Sequence, residues 1–124
     1  MYLDDFLAEF VVRDEECLRK LLKTRHKYSA NHFILSHAEN GFPQLNIFVK
    51  SNQCVLYYMA DGESHISAGN HPHRGGICVF YENNNGTTIE LPCSSVVEER
   101  EMETAALAFF KQQARPENIH WQEL

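Results

Sequence analysis

The chain has 124 residues, 44% hydrophobic and 23% charged, and a formal net charge of −6. That length suits one domain, residues 1–124, and lets a core form without a disulfide or metal staple, since about two-thirds of the unfolded surface is buried at this size. The acidic balance disfavours nucleic acid as a partner, and no apolar run approaches the ~20 residues of a membrane helix.

The opening "MYLDDFLAEF" carries acids where a secretory signal would carry bases, which reads as a cytoplasmic protein. Within it "FLAEFVV" (6–12) has the bulky, β-branched character of a strand. The first sixteen residues set Asp4, Asp5, Glu9, Asp14, Glu15 and Glu16 against Arg13 alone. Such an end is either a solvated acidic surface or a face that meets a basic partner. "DEECLRKLLKTRHKY" (14–28) follows, with Asp14 as a cap and Cys17, Leu18, Leu21 and Leu22 at helical spacing.

A run of strand candidates comes next: "NHFILSHA" (31–38), "QLNIFVK" (44–50), "CVLYYMA" (54–60), "SHISAG" (64–69), "ICVFYE" (77–82) and "TTIEL" (87–91). Turn signals separate them: Asn40-Gly41, "SNQ", "ADGES", the "NHPHRGG" loop and "NNNG". Short turns between neighbouring strands give an antiparallel meander. "SSVVEEREMETAALAFFKQQA" holds a second helix with a stripe of Met102, Ala105, Ala106, Phe109 and Phe110. Ser95 and Glu98 have capping-box spacing, while Val96-Val97 suits a strand extension; both readings stay open. "IHW" (119–121) is a last strand or a docked tail, with Trp121 as its core plug. The order predicts an α+β fold, an antiparallel sheet of about five to seven strands with two main helices on one face.

The four cysteines, Cys17, Cys54, Cys78 and Cys93, are widely spaced and form no CxxC pair. In a reducing compartment they are expected as free thiols filling small core positions. Two motifs suggest chemistry. His37-Ala38-Glu39 and Pro92-Cys93 resemble the two halves of a zinc-deaminase signature, in which His and two Cys hold the metal and Glu moves protons. Val96 stands where the second cysteine is required, and Asn40-Gly41 and Pro43 stop a helix from following the Glu. His71-Pro72-His73 has the form of a ligand pair, with His65 or Cys78 as a third, but it sits in a Gly/Pro loop with no fixed spacing. The residues alone therefore favour a binding module without cofactor or metal over an enzyme. A small metal-binding enzyme around these histidines is one alternative.

Six segments, "GFPQLNIFVK", "VLYYM", "DGE", "FYEN", "FF" and "RPENIHWQEL", fall in order along the chain after "MYLDDF". Together they resemble the first-catalogued immunity-protein family of bacterial polymorphic toxin systems, in particular members paired with a toxin that deaminates cytosine in double-stranded DNA. The resemblance implies a cytoplasmic, non-catalytic inhibitor that binds the catalytic domain of a cognate toxin, of deaminase type, and blocks its active site. The alternative to it, ahead of the metal-binding enzyme, is a non-catalytic interaction or scaffold domain with another protein partner. A nucleic-acid-handling toxin has a basic groove, and an acidic inhibitor gains association rate there by steering. The toxin-binding candidates lie in the turns: Glu39 and Phe42, Asp61 and Glu63, Tyr81 and Glu82. The "HPHRGG" and "SSVVEERE" segments depart from the family pattern, and cognate specificity is expected to differ in such loops.

Overall fold

The computed structural model describes residues 1–39 and 41–124. In chain order it has strands β1 (Tyr2–Asp4) and β2 (Glu9–Val11), helix α1 (Glu15–Leu22), then strands β3 (Ala30–Ser36), β4 (Gln44–Lys50), β5 (Gln53–Ala60) and β6 (Glu63–Ala68). Strands β7 (Ile77–Tyr81), β8 (Thr88–Pro92) and β9 (Val97–Glu98), helix α2 (Glu99–Gln112) and strand β10 (His120–Glu123) complete it. Eight strands form one sheet, ordered β10-β6-β5-β4-β3-β1-β2 with β9 beside the start of β5, and β7 and β8 form a separate hairpin. Every pairing is antiparallel. The α+β class stands as expected, and short end strands bring the main sheet to eight.

The first of those additions comes from Asp5. Its carboxylate accepts the backbone N–H groups of Leu7 (2.7 Å) and Ala8 (3.0 Å), which bends the chain between β1 and β2. The stretch 6–12 is therefore half turn, and only its second part is strand. Helix α1 begins as expected, with Asp14 accepting the Cys17 N–H at 2.8 Å. It ends at Leu22 rather than Tyr28, because Arg25 donates to the carbonyls of Leu22 (2.8 Å) and Thr24 (3.0 Å). Tyr28 and Ser29 then adopt left-handed backbone, with φ of 63° and 54°.

The capping box expected at Ser95 does not form. Ser95 lies in a buried 3-10 turn, Cys93–Ser95, and its carbonyl accepts the Ser67 hydroxyl at 2.7 Å. Val97 and Glu98 pair with Cys54 and Gln53 instead, so the strand alternative is the one realised. Gly69 sits against this turn, its N–H on the Ser94 carbonyl at 2.7 Å. A Cβ at Gly69 would lie 2.7 Å from the same oxygen, so only glycine fits there.

Alternation along the strands makes two cores. Leu35, Leu45, Ile47, Leu56 and Tyr58 face the helices and pack with Leu18, Leu22, Met102, Ala106 and Phe109. Phe48, Val55 and Ile66 face the other way and pack under Phe80 and Leu91 of the hairpin. Both helices thus share one sheet face, and β7–β8 covers part of the other. A fully buried Leu or Phe such as Leu56 or Phe109 contributes about 1.5–3 kcal/mol by leaving water. Tyr57 and Tyr58 divide between the faces, Tyr58 beneath the helices and Tyr57 beside the hairpin. Trp121 joins the helix-side core, its indole N–H on the Pro116 carbonyl at 2.7 Å and its ring against Tyr58.

The cysteine expectation needs correcting. Cys78 and Cys93 are joined in a disulfide, while Cys17 and Cys54 are free. Cys78 pairs across the hairpin with Leu91, and Cys93 lies two residues farther on the same side. This brings the Cα atoms to 5.2 Å, within bridging range. Cys54 fits its expected inert role, since burial pushes its thiol up to about 12.

The bridge closes a loop with a sequence separation of 15, a length for which chain entropy assigns about 3 kcal/mol. Cys78→Ser with Cys93→Ser should lower denaturant stability by that order. Hairpin amides should lose hydrogen-exchange protection before those of β4 and β5. Equal stability of the oxidised wild type and the double variant would show that packing alone holds the hairpin.

Candidate protein-binding surface

Register decides which turns meet. Ser36, Gln44, Met59 and Ser64 lie side by side across β3, β4, β5 and β6. The β3–β4 and β5–β6 turns therefore project from one end of the sheet. Tyr2 and Val11 reach the same end beside Ser36, and the Leu124 N–H bonds the Ser64 carbonyl there at 2.9 Å. Four of the six expected contact residues, Glu39, Phe42, Asp61 and Glu63, gather at this end, and the three carboxylates among them are exposed. Phe42 is 60% exposed and Leu124 68%. The β5–β6 turn is tight because Gly62 takes a φ of 82°. The Asn40-Gly41 turn lies partly outside the described residues; the Gly41 N–H bonds the Ala38 carbonyl at 3.0 Å.

Tyr81 and Glu82 lie elsewhere. Tyr81 stacks on Tyr28, centroids 4.3 Å apart and planes 10° apart, with the Lys50 ammonium 5.8 Å from its ring. Lys50 pairs with Ala30 at the opposite end of β3, roughly 20 Å from Ser36 at the usual rise per residue. The structure thus brings four of the predicted residues together and sets two apart.

The acidic N-terminal run also divides. Asp5 is half-buried, its side chain 4% exposed and bonded to His26 (3.1 Å), Asp14 caps α1, and Glu15 and Glu16 pair with Arg19, Lys111 and Lys20. Asp4, Glu9 and Glu39 form no ion pair among the described residues. Asp4 and Glu9 are cross-strand partners. The charge of Asp4 and a hydrogen bond to it raise the Glu9 carboxyl above its ordinary value, and Glu39 adds to the effect. This grouping, in which Asp4 and Glu39 both act on Glu9, is what the sequence reading missed. A pattern of six acids gave no means of telling the bonded from the unbonded.

Other groups take structural places. His37 donates its ring N–H to the Phe109 carbonyl at 2.9 Å, tying the end of β3 to the last turn of α2. His32 stacks on Phe48 at 4.1 Å and bonds Asn46; burial lowers its pKa, outweighing Asn46 and Glu82. His65 accepts from Arg115 at 2.6 Å beside Tyr58, and His71 and His73 are exposed in the loop before β7. Among the described residues no three His, Cys, Asp or Glu side chains converge as a metal site, and no helix is long and apolar enough to cross a membrane. A depression of about 670 Å³ is lined by charged side chains of α1 and α2 such as Arg19 and Glu103, which pair with each other. A smaller apolar groove of about 210 Å³ lies among Asn46, Phe48, Tyr57, Met59 and Ile89.

At the turn end of the sheet exposed aromatic and aliphatic groups stand among carboxylates that form no ion pair among the described residues. Comparison with known proteins gives the chain a family. The description Immunity protein Imm1 matches residues 3–123. A relative from Burkholderia cenocepacia (strain H111), described as "Double-stranded DNA deaminase immunity protein", is 43% identical over 124 residues and covers 100% of both chains. The chain belongs to the Imm1 family of immunity proteins.

Asp5 anchors the strands that carry Asp4 and Glu9, so its titration tests their support. Burial alone would raise its pKa. The Leu7 N–H, His26, the Ala8 N–H and Asn31 together outweigh burial and hold it below the ordinary 3.8. A lowered pKa means the ionised form favours the fold. The contribution is complete above pH ~4 and disappears as pH falls through the lowered value. Asp5→Asn should cost about 1–3 kcal/mol at pH 7 and progressively less as the pH is lowered through the acid range, as read by denaturant titration at neutral and at acid pH. An equal loss at both pH values would mean the carboxylate's charge plays no part.

Proposed function

We propose that this immunity protein binds a cognate bacterial deaminase toxin and inhibits it by covering its active site, with no catalysis of its own and no cofactor. What carries the reading most is the full-length likeness to a relative described as an immunity protein for a double-stranded DNA deaminase. The physical chemistry agrees. A deaminase that takes a base from nucleic acid holds phosphates with lysine and arginine. Net charge −6, with Asp61 and Glu63 projecting from one turn, attracts such a groove and repels nucleic acid itself. Glu39, Phe42, Asp61 and Glu63 are the proposed contacts at the turn end. Tyr81 and Glu82, on the hairpin, belong to the rim of the interface or to no part of it.

The proposed place of action is the cytoplasm, where the toxin's nucleic-acid substrate lies, and residues 1–124 act as one immunity domain. Cytoplasmic thiols reduce accessible disulfides. There the hairpin would rely on Phe80, Ile89 and Leu91 whenever Cys78 and Cys93 are reduced.

Two measurements test the reading. An equimolar amount of the protein should abolish duplex-DNA deamination by the toxin domain encoded beside its gene; full activity at a large excess would sink the proposal. Asp61→Lys with Glu63→Lys should slow association about tenfold at low salt and flatten its salt dependence. An unchanged rate across salt would remove those two residues from the steering surface.

A further inference from the structure

The second face of the main sheet is only partly covered. The hairpin β7–β8 lies over Phe48, Val55 and Ile66. Beyond it, the register sets two rows of side chains on the same face. Val11, Tyr2 and Met59 belong to the outer row, at the turn end; Glu9, Asp4, Ile34 and Tyr57 belong to the next. Six strands, from β2 to β6, carry these rows, a width of roughly 24 Å at the usual strand spacing. Val11 is 53% exposed, and Tyr2, Ile34, Tyr57 and Met59 are half-buried. The apolar groove of Asn46, Phe48, Tyr57, Met59 and Ile89 opens on this face at the margin of the hairpin. The only charged residues in the two rows are Asp4 and Glu9, and Glu39 acts on Glu9 from the neighbouring turn.

Charge selects the occupant. A second copy of this chain, related by a two-fold axis, would set Asp4 and Glu9 against their own kind. Nucleic acid would meet the same repulsion. A surface built to hold phosphates carries arginines, whose planar fork matches paired carboxylates, and their stems and neighbours suit an apolar groove. The face is continuous with the turn end, because Met59 and Ser64 lie in register with the start of β4.

We propose that the open half of this sheet face is the seat of the toxin's basic, nucleic-acid-holding surface, with a guanidinium between Asp4, Glu9 and Glu39 and an apolar side chain in the groove of Tyr57, Met59 and Ile89. This assignment rests on the reading of the protein as a toxin inhibitor and adds the face that does the inhibiting. Carboxylates that repel one another in the free protein are relieved when a cation enters, so complex formation removes a destabilising interaction as well as adding contacts.

The test measures binding of the toxin domain encoded beside the gene to three forms of the full chain, with thermal melts alongside. Glu9→Lys with Glu39→Lys alters two exposed side chains and should weaken binding about 100-fold while the melt is retained. Met59→Lys should weaken it by closing the groove; it borders the core, so it is judged only if its melt is also retained. Glu16→Lys, on the outer face of α1 with a side chain 79% exposed, should bind as the wild type does. If the wild type binds tightly and the Glu9/Glu39 variant binds equally well, this face is excluded and the inhibitor reading survives. If the wild type fails to bind, both fall. A wild-type dimer that the Glu9/Glu39 variant dissociates would assign the face to self-association and overturn the proposal.

Discussion

Successive residues of β4 and β5 point to opposite sides of one sheet, and the chain has unequal cover for the two sides. Leu45, Ile47, Val49, Leu56 and Tyr58 go beneath two helices. Phe48, Val55 and Tyr57 go beneath or beside a hairpin of two five-residue strands, too short to roof six strands. That shortfall leaves apolar side chains half-exposed beside Asp4 and Glu9. A sheet this wide could have closed both faces with a third helix. The length between β6 and β9 instead goes into the hairpin, clamped at its base by Cys78–Cys93 and at its tip by the Tyr28–Tyr81 stack. The hairpin is therefore anchored at both ends over the lower half of the sheet, and the upper half stays open.

The helix side is locked by polar contacts as well as packing. The His37 ring meets the last turn of α2, where the Phe109 carbonyl also accepts the Gln113 N–H. That carbonyl thus accepts twice, from the backbone of its own helix and from a side chain of the sheet, which ties the two layers together. The same histidine begins the turn that carries Glu39 and Phe42. The start of that turn is thus coupled to the packing of α2, and the contacts proposed there extend from a tethered strand end.

Much of the fold was legible because local signals and burial agree. β4 to β8 fall within a residue of their expected bounds, and β4 to β7 are each followed by a Gly- or Asn-bearing turn. Legibility failed where a distant group decided the local structure. Arg25 ended α1 early by taking carbonyls from its last turn, and Ser67 drew the Ser95 carbonyl into a 3-10 turn that a capping box could not share. Neither is visible in a window of sequence. The disulfide was missed for a similar reason: compartment and spacing argued for free thiols, but the hairpin register set Cys78 opposite Leu91 and so brought Cys93, two residues on, within bridging range. At the surface, turn composition located Glu39, Phe42, Asp61 and Glu63. It could not show that Tyr81 would lie across the molecule, because that depends on which sheet face the hairpin folds over.

Three carboxylates held near one another without a cation are a cost that the free protein carries. So is an aromatic and aliphatic strip left half in water. Each disfavours the free state by a modest amount, and each is removed by the same event, the arrival of a basic surface with an apolar tip. Tight inhibition by a small protein depends more on such preorganisation than on area, since little ordering remains to be done at the moment of binding. Asp4 and Glu9 sit on short strands pinned by Asp5, so the field they project has a fixed direction. A field of fixed direction orients the partner before contact as well as attracting it, and that raises the fraction of encounters that succeed. The repulsion that Asp4 and Glu39 exert on Glu9 is in this sense relieved by the cation that the proposed partner supplies.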